Sequence, residues 1–421
     1  MTAFNAFGAG STPQDVSYLL QNTKTPQPVV DGFDESKLDA IPWQELRSSW
    51  LEIDLGAIRN NTVVARRALS AGTRLCAVVK ADGYGHGSVP VAKTALAAGA
   101  AFLAVATVPE GVELRKAGII APILVLSEPP ATAAAVLLHY HLLPSVYTSE
   151  FAIAYAEVAD SAGMSAPFHL AVNTGMNRIG VRYDQVIDFL RAITFHRALK
   201  LEGTFTHFAT ADCPEEFDFA LQFRRFQEVI ATMRQFGIDP GLVHCANSAA
   251  LLRYPKTHMD MARLGISLYG PHPCEETRPY YDLRPAMSLH ARITAVNTPP
   301  MSEGVSYGMH YRSPGSVKIC ALPVGYADGF PRALSGQTSV IYNGRLCRQV
   351  GNICMDQCMF EVDMRLYGSS SRLDPQVGDE VILMGSQNGA CIPIEELAAR
   401  CGTIPHEIMC ALALRLPRVY R

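Results

Sequence analysis

Short apolar runs rich in β-branched residues alternate with amphipathic stretches of helical length through the middle of this 421-residue chain. The runs have the length of buried strands, and the stretches between them are long enough for helices that cross back over a sheet. Strands that alternate with helices in this way predict a parallel α/β sheet. The predicted strands lie at 75–79, 102–106, 123–126, 143–147, 168–172, 202–207, 242–246 and 261–264.

This alternation is compatible with two architectures. Eight βα units form a closed (β/α)8 TIM-type barrel if the sheet curls on itself, and a doubly wound sheet if it stays open. Ahead of the first of these strands, Trp50 to Leu55 alternates like a half-buried strand and precedes a predicted helix from Ile58 to Ala71. The other helices are predicted at 88–99, 130–139, 150–162, 184–195, 215–236 and 248–253.

The pattern changes after about residue 285. Strand-like runs separated by Gly, Pro, Asn and Ser turns replace the alternation, and one helix is predicted at 393–401. Such a pattern is typical of a mainly-β domain. We therefore predict an N-terminal extension at 1–48, a barrel domain at 49–285 and a C-terminal β domain at 286–421.

Composition and charge argue against several kinds of partner. Hydrophobic residues make up 48% of the chain and charged residues 18%, which is typical of a soluble globular protein. The formal net charge of -3 gives no electrostatic basis for binding nucleic acid or an anionic membrane. No apolar run approaches the length of a membrane span. We expect neither nucleic-acid nor membrane partners.

The cysteines and the first 48 residues bear on the compartment. The 11 cysteines are odd in number and contain no Cys-x-x-Cys pair, and nothing near Cys354 and Cys358 completes a zinc set. They predict reduced packing residues in a cytoplasmic protein without a metal site. Residues 1–48 lack the positive start and apolar core of a secretory signal, and their acidic residues argue against a transit peptide. Their role is unknown.

The most distinctive stretch, Cys76 to Gly87, reads Cys-Ala-Val-Val-Lys-Ala-Asp-Gly-Tyr-Gly-His-Gly. Lys80 ends a predicted buried strand, so partial desolvation should lower its pKa and favour the neutral amine that Schiff-base chemistry needs. The glycines that follow let backbone approach a ligand, and the Tyr84 hydroxyl can bind an anion such as phosphate. From this pattern alone, a solvated lysine in an ordinary turn is the alternative.

Other polar residues share the position of Lys80 at the ends of predicted strands. In a parallel barrel these ends form one rim, where catalytic groups collect. The residues concerned are Lys80, Asn173 to Arg178, His207, Asn247-Ser248 and Arg263. We expect them to surround one site.

The stretch around Lys80 resembles the pyridoxal-phosphate lysine motif of the alanine racemase family, in which the lysine carries the cofactor covalently. The resemblance extends from about Trp50 to Arg421, and about seven motifs appear in family order. It implies a barrel rather than an open sheet, pyridoxal 5′-phosphate as the cofactor, and an isomerase that racemises a small amino acid. D-alanine for cell-wall precursors is the family's usual product.

The resemblance also implies roles around the cofactor. Arg263 would face the pyridine nitrogen, and His207 would bridge Arg263 to the catalytic tyrosine. An arginine keeps this nitrogen unprotonated, so the ring is a weaker electron sink, which favours racemisation over transamination. The resemblance assigns the rest of the cofactor site to Tyr84, Asn247, Ser248, the amides of Gly265 and Ile266, and His406.

Arg178 resembles the family arginine that touches the cofactor's phenolic oxygen and the substrate carboxylate. A planar fork of donors suits both tasks. Many family members have a carbamylated lysine at the position that is Ala171 here. Because that lysine orients the arginine, Asn173 or a bound anion must replace it in this chain.

Gly304-Val-Ser-Tyr307-Gly resembles the segment that carries the family's second catalytic base. Racemisation needs a base on each face of Cα, and Lys80 would act on the D side while Tyr307 of the partner subunit acts on the L side. By the same resemblance, Tyr326 and Met355 line the substrate site of the other subunit. The resemblance therefore implies a homodimer with shared active sites.

His406 departs from the family, which has tyrosine at this position. Histidine is smaller and more polar beside the side-chain pocket, so serine or a larger amino acid is an alternative substrate to alanine. Two other functions compete with racemisation. A barrel-type decarboxylase would place a carboxylate where Arg263 stands, and a single-barrel cofactor carrier would lack the domain that holds Tyr307 and Met355.

Overall fold

A computed structural model of the protein describes residues 46–366, 374–412 and 414–421. The predicted extension at 1–48 lies almost entirely outside the described residues. The domain limits at 49–285 and 286–421 stay a prediction.

Eight parallel strands form a nearly closed barrel, and each pairs with its neighbours in the order β10-β2-β3-β4-β5-β6-β8-β9. The two ends of this sheet meet, because the amide of Arg263 donates to Ala246 O at 3.0 Å and that of Asp260 donates to Val243 O at 3.1 Å. The predicted (β/α)8 barrel is therefore confirmed. Its strands are β2 (Arg74–Val78), β3 (Phe102–Val105), β4 (Ile123–Val125), β5 (Leu142–Val146), β6 (Ala166–Asn173), β8 (Leu199–Phe205), β9 (Leu242–His244) and β10 (Met261–Leu264), and β7 (Val181–Arg182) pairs with β6.

The burial of these strands explains their sequences. Strands β3, β4 and β5 are buried at every position. A parallel sheet is covered on both faces, so its strands are continuously apolar instead of alternating. This is why the short apolar runs are good predictors of the barrel strands.

Helices connect the barrel strands, and one of them is not predicted from the sequence. Val108–Lys116 contains Pro109 and Gly111, which weaken a helical pattern. The structure places the proline in the first turn, where its missing N–H is harmless, and Thr107 and Glu110 form a capping box. The helices are α1 (Leu55–Ala68), α2 (Ser88–Ala97), α3 (Val108–Lys116), α4 (Ala134–His139), α5 (Ser149–Ser161), α6 (Val186–Ile193), α7 (Phe217–Gln235) and α8 (Ser248–Arg253).

The second large sheet is mainly antiparallel and follows the barrel in the chain. In β18 (Cys358–Asp363) buried and partly exposed residues alternate, as expected for a strand with one face on the core. The other strands are β11 (Met287–Arg292), β12 (Ala295–Asn297), β15 (Val317–Leu322), β16 (Ser339–Tyr342), β17 (Arg345–Val350), β19 (Glu380–Gln387) and β20 (Ala390–Ile392). A separate hairpin of β13 (Gly304–Val305) and β14 (Tyr311–Arg312) precedes β15, and helices α9 (Ile394–Arg400) and α10 (Pro405–Ala411) follow β20.

Strand β1 (Ser49–Ile53) belongs to this second sheet, although it precedes the barrel in sequence. It lies between β11, to which it is antiparallel with Leu51 opposite Leu289, and β21 (Arg418–Tyr420), to which it is parallel. The second sheet is thus built from residues on both sides of the barrel in sequence.

No helix within the described residues is long and apolar enough to cross a membrane.

Candidate active site

Lys80 follows β2 at the carboxyl end of the barrel and starts an unusual turn. The next four residues, 81–84, all have positive φ, between 52° and 59°. L-residues rarely adopt this left-handed conformation in succession, at a cost of roughly 1–2 kcal/mol per residue. The turn is held by backbone hydrogen bonds from Gly83 N to Val79 O at 3.0 Å and from Gly85 N to Ala81 O at 2.9 Å.

The surroundings of Lys80 favour a neutral amine. Burial lowers the pKa of Lys80, and the nearby cation Arg178 lowers it further. The Glu110 carboxylate opposes this shift, but it also accepts hydrogen bonds from the backbone amides of Ala81 and Ala106, both at 2.7 Å. The result is an amine suited to nucleophilic attack on a carbonyl.

Arg263 is a buried cation without an acidic partner among the described residues. Its side chain is only 3% exposed. The guanidinium donates to Thr206 O at 2.8 Å and to Cys245 O at 3.2 Å, and it lies 3.3 Å from Nδ1 of His207. All of these partners are neutral, so the positive charge is not compensated locally. The predicted proximity of His207 to Arg263 is present in the structure.

A chain of histidines continues behind Arg263. NH1 of Arg263 lies 2.8 Å from Nδ1 of His244, and Nε2 of His244 lies 3.0 Å from Nδ1 of His169. An arginine can only donate, so His244 must accept at Nδ1 and carry its proton on Nε2, which it donates to His169. Burial, followed by repulsion from Arg263, lowers the pKa of His169 to about 4 and that of His207 to about 3.

These two deeper histidines are missed by the sequence predictions. His169 and His244 lie inside strands predicted as continuously apolar, and both are buried. A polar residue in such a strand needs a hydrogen-bond partner, which is the signal that marks them.

A polar cradle lies beside Lys80, at the loop after β10. The Ser248 hydroxyl accepts a hydrogen bond from the amide of Gly265 at 2.9 Å. A Cβ atom added to Gly265 would lie 3.2 Å from the hydroxyl oxygen of Tyr84, so the backbone is exposed to this site only because the residue is glycine. Such a set of donors fits a phosphate group.

Asn247 and His406 also border the site. The Asn247 side chain caps helix α8 by accepting from Ala250 N at 3.0 Å, so it organises the loop that carries Ser248. His406 lies beside Tyr84 with 5.8 Å between ring centroids, and its Nδ1 is buried without a partner. Burial and the charge of Lys80 lower the pKa of His406.

One cavity of about 590 Å³ contains most of the predicted site. This size is within the usual range for cofactor sites. The predicted residues that line it are Lys80, Tyr84, Arg178, His207, Asn247, Ser248, Arg263, Gly265, Ile266 and His406.

In the structure, Asn173 does not replace the carbamylated lysine that orients the arginine in many family members. Asn173 accepts hydrogen bonds from the amides of Gly175 and Asn177, both at 3.1 Å, and therefore folds onto its own loop. Ala171 and Arg178 both line the cavity, and within the described part of the chain no hydrogen bond to the Arg178 side chain is present. A bound anion stays a prediction.

Tyr307, Tyr326 and Met355 do not line the Lys80 cavity in the single chain. They are 75%, 43% and 53% exposed, respectively. Tyr307 and Met355 instead border a separate groove of about 1230 Å³ in the second sheet region. One chain therefore does not bring them to Lys80.

The loop with Tyr326 is fixed by a buried carboxylate. Asp328 is fully buried, accepts from Gly325 N at 2.8 Å and pairs with Arg47 and with Arg415, the latter at 2.6 Å. Arg415 also reaches Asp356 at 2.6 Å. These ion pairs join the chain segment before β1 to the loops that carry Tyr326 and Met355.

A desolvated lysine at the carboxyl end of a parallel barrel, in one cavity with a buried arginine and several hydrogen-bond donors, is suited to holding a cofactor as a Schiff base. Comparison with known sequences defines the class further. The family model described as the alanine racemase N-terminal domain matches residues 53–273, and the one for the C-terminal domain matches 286–420. The chain belongs to the alanine racemase family, whose members are isomerases that use pyridoxal phosphate.

Individual relatives agree with this assignment. The chain is 43% identical over 374 residues to the alanine racemase of Desulfovibrio desulfuricans, covering 89% of this chain and 98% of the relative. It is also 43% identical over 373 residues to that of Desulforamulus reducens, covering 88% and 98%. The crystal structure of alanine racemase from Bacillus anthracis with bound L-Ala-P superposes with a TM-score of 0.82 at 37% identity, covering 89% of this chain and 95% of that one.

Proposed function

We propose that this protein is a pyridoxal-phosphate-dependent racemase that interconverts L- and D-alanine. The observation that carries the proposal is one cavity that contains both a desolvated Lys80 and a buried Arg263 that no described carboxylate neutralises. A decarboxylase of the same cofactor class would need an acidic group at this place. The similarity to alanine racemases over 89% of the chain supports alanine as the substrate.

The cavity residues fit the cofactor, because they offer hydrogen-bond donors and, at Nδ1 of His406, a buried nitrogen without a partner that the cofactor's groups would satisfy. Lys80 would hold it covalently, and Arg263 would face the ring nitrogen. Ser248, Tyr84 and the amides at 265–266 would hold the phosphate, with His406 beside them and Asn247 organising the loop. When bound, the cofactor supplies an electron sink for the pair left at Cα after loss of its proton.

The protein's own residues supply the proton transfers. Lys80 Nζ takes or returns the Cα proton on the D side, because burial and the charge of Arg178 lower its pKa and so favour the neutral amine that acts as a base. A single lysine reaches only one face of Cα, so the L side needs a second group. The phenol of Tyr307 of the partner subunit is that group in our proposal, with His207 and Arg263 supplying the nearby donors and positive charge.

Substrate orientation falls to Arg178, Tyr326 and Met355. Arg178 extends into the cavity and can bind the substrate carboxylate through two parallel N–H groups. The Tyr326 side chain and the backbone amide of Met355 would reach this site from the other subunit. Their exposure in the single chain supports that arrangement.

A homodimer is therefore part of the proposal. Exposed apolar side chains line the groove near Tyr307, including Met309 at 57% and Met355 at 53% exposed. Such surface is typical of an interface. We also propose a cytoplasmic location and a role in supplying D-alanine for cell-wall precursors, as is usual for the family.

A second candidate, serine or broader amino-acid racemisation, is favoured by His406. Its buried Nδ1 has no partner and could accept a hydrogen bond from a substrate hydroxyl. A third candidate, a cofactor carrier without turnover, leaves Tyr307 and Met355 unexplained.

The test is Cα proton exchange in heavy water, followed by NMR with purified protein, pyridoxal phosphate and L-alanine, L-serine or L-lysine. We expect fast exchange with alanine and formation of D-alanine. Equal or faster exchange with serine or lysine would establish the broader substrate range. No exchange with any of the three would refute the racemase proposal and leave the carrier.

In the same assay, Tyr307→Phe tests the second base. Loss of exchange from L-alanine with retained exchange from D-alanine is expected. If both directions were unaffected, the assignment of Tyr307 would be wrong.

A further inference from the structure

We propose that Ser306 and Asn352 form a clasp that fixes the position of Tyr307, which makes both of them positioning residues for racemisation. The inference rests on the proposed function, because it takes Tyr307 as the base on the L side. It is based on the backbone of Ser306, on two hydrogen bonds, and on a close approach at Gly351.

The backbone of Ser306 is strained next to the proposed base. Ser306 has φ 68° and ψ 177°, a combination that is essentially restricted to glycine. A serine keeps such a conformation only when its surroundings enforce it. Because Ser306 directly precedes Tyr307, this conformation decides the direction in which the tyrosine leaves the hairpin formed by β13 and β14.

Two hydrogen bonds supply the enforcing contacts. The Ser306 hydroxyl donates to the backbone oxygen of Asn352 at 2.8 Å. The side-chain amide of Asn352 donates back to the backbone oxygen of Tyr307 at 2.7 Å. The two bonds run in opposite directions between the same two segments. They therefore fix the distance between residues 306–307 and Asn352, and the rotation of one segment relative to the other.

The backbone packing at Gly351 leaves no space for a side chain. Gly351 has φ 67°, and a Cβ atom added there would lie 2.6 Å from Cβ of Ser306 and 3.0 Å from Val305 O. Only glycine permits this approach. The segment that carries Asn352 is therefore pressed directly against the residue it holds.

The segment with Asn352 also contacts the loop of Tyr326, one of the other residues that we propose to reach a partner subunit. The backbone oxygen of Cys354 accepts from Tyr326 N at 3.0 Å, and that of Met355 accepts from Ala327 N at 3.0 Å. Residues 351–355, which include Met355, therefore join the two loops that carry Tyr307 and Tyr326. The phenol of Tyr307 has no hydrogen bond within the described chain, so its orientation depends on the backbone that the clasp holds.

The consequence concerns one proton transfer and not the other. If the clasp is opened, Tyr307 is misplaced while Lys80, which is held by the barrel, is not. After Lys80 has removed the proton from D-alanine, Lys80 would then re-protonate Cα on the same face, which regenerates D-alanine, more often than Tyr307 would protonate the opposite face, which gives L-alanine. Loss of the clasp should separate exchange with retention from inversion.

The experiment compares Asn352→Leu and Ser306→Ala with the unchanged protein. Asn352→Leu removes the amide donor at similar volume, and Ser306→Ala removes only the hydroxyl, so it serves if the larger change disturbs folding. The matched control is Ser302→Ala, since Ser302 also has positive φ, at 67°, and lies in the same region of the chain. Each variant is incubated with D-alanine in heavy water, and NMR and chiral chromatography give deuterated D-alanine and L-alanine separately.

We expect inversion to fall by about ten-fold or more in both clasp variants, since small misplacements of a catalytic group cost up to roughly a hundred-fold. Deuterium uptake into D-alanine should stay within about two- to three-fold of the unchanged protein, as should both rates in Ser302→Ala. Parallel loss of both rates, or no loss of inversion, would overturn the clasp. No exchange at all in the unchanged protein would instead refute the proposed function.

Discussion

The guanidinium of Arg263 lies 2.8 Å from Nδ1 of His244, and this contact fixes the proton positions in the whole buried chain behind it. His244 must be neutral to accept, and His169 accepts in turn at 3.0 Å. A protonated histidine anywhere in this chain would face the arginine as a second buried cation. The site is therefore built around imidazoles that have to stay neutral.

Acid should destabilise the protein through these histidines. The pKa of His169, about 4 in the folded protein, lies below its ordinary value, so the unfolded chain takes up the proton first as the pH falls. This contribution to stability is complete above pH ~6.5 and is lost as the pH falls toward 4, at up to about 1.4 kcal/mol per pH unit for each such histidine. Chemical denaturation between pH 7 and pH 4 measures the slope.

His169→Gln should reduce the slope of the unfolding free energy against pH by up to the equivalent of about one proton, because the unfolded chain then has one fewer group to protonate. The control is His139→Gln, at an exposed position on α4. Equal slopes for His169→Gln and the unchanged protein would contradict the assignment of a neutral buried imidazole.

Removal of Lys80 should abolish cofactor attachment. Lys80→Ala leaves the phosphate cradle in place, so pyridoxal phosphate can still bind reversibly but is lost on dialysis. Visible absorbance after dialysis and racemase activity are the two measurements. Lys93→Ala, on the exposed side of α2, should leave both unchanged.

The barrel and most of its mouth could be predicted from the sequence because their signals are local. Buried parallel strands are continuously apolar, and Lys80, His207 and Arg263 follow or end such runs. Helix α3 is not predicted because Pro109 and Gly111 are residues that usually interrupt a helix. The structure shows that the helix starts there with a capping box at Thr107. The placement of β1 between β11 and β21 is not predicted either, because pairing over more than 200 residues leaves no local signal.

The contacts made by the residues in and around the site are harder to predict from the sequence than the identity of the site residues. Nothing in the sequence shows that Asn173 folds onto its own loop, since asparagine can equally point outward. The clasp at Asn352 depends on a strained backbone, which sequence patterns do not display. The proposed roles of Tyr307, Tyr326 and Met355 rest on resemblance alone, because none of the three lines the Lys80 cavity in the single chain.

Arg415→Ala should destabilise the protein and impair turnover together. It removes one of two cationic partners of the fully buried Asp328 carboxylate, and a hydrogen bond to a charged group contributes roughly 1.5–3 kcal/mol. The loops with Tyr326 and Met355 would lose their shared anchor, so kcat should fall as well. Denaturant unfolding and steady-state kinetics with alanine provide the measurements.

The matched control is Arg284→Ala, which removes an exposed ion pair with Asp282. Exposed pairs contribute about 0.2–1 kcal/mol, so its effect should be smaller, and kcat should not change. An effect of Arg415→Ala no larger than that of the control would show that the buried carboxylate does not need its second partner.

His406→Tyr should shift substrate preference toward alanine. A phenol fills more of the side-chain pocket and removes the unpaired Nδ1. We expect the ratio of kcat/KM for serine over alanine to fall by about ten-fold, within the 1–3 kcal/mol that a pocket can contribute. His406→Phe separates volume from hydroxyl effects, and an unchanged ratio in both variants would show that His406 does not select the substrate.

The placement of β1 has a consequence for dissecting the protein. Both strands that flank β1 lie after residue 286, while the residues that follow β1 enter the barrel directly. A fragment cloned to stop between β10 and β11 would carry β1 with neither of its neighbours, and the complementary fragment would carry β11 and β21 with a gap between them. The two halves of the gene should therefore be insoluble when expressed alone and should regain structure on co-expression, with β1 acting as the strand that recombines them.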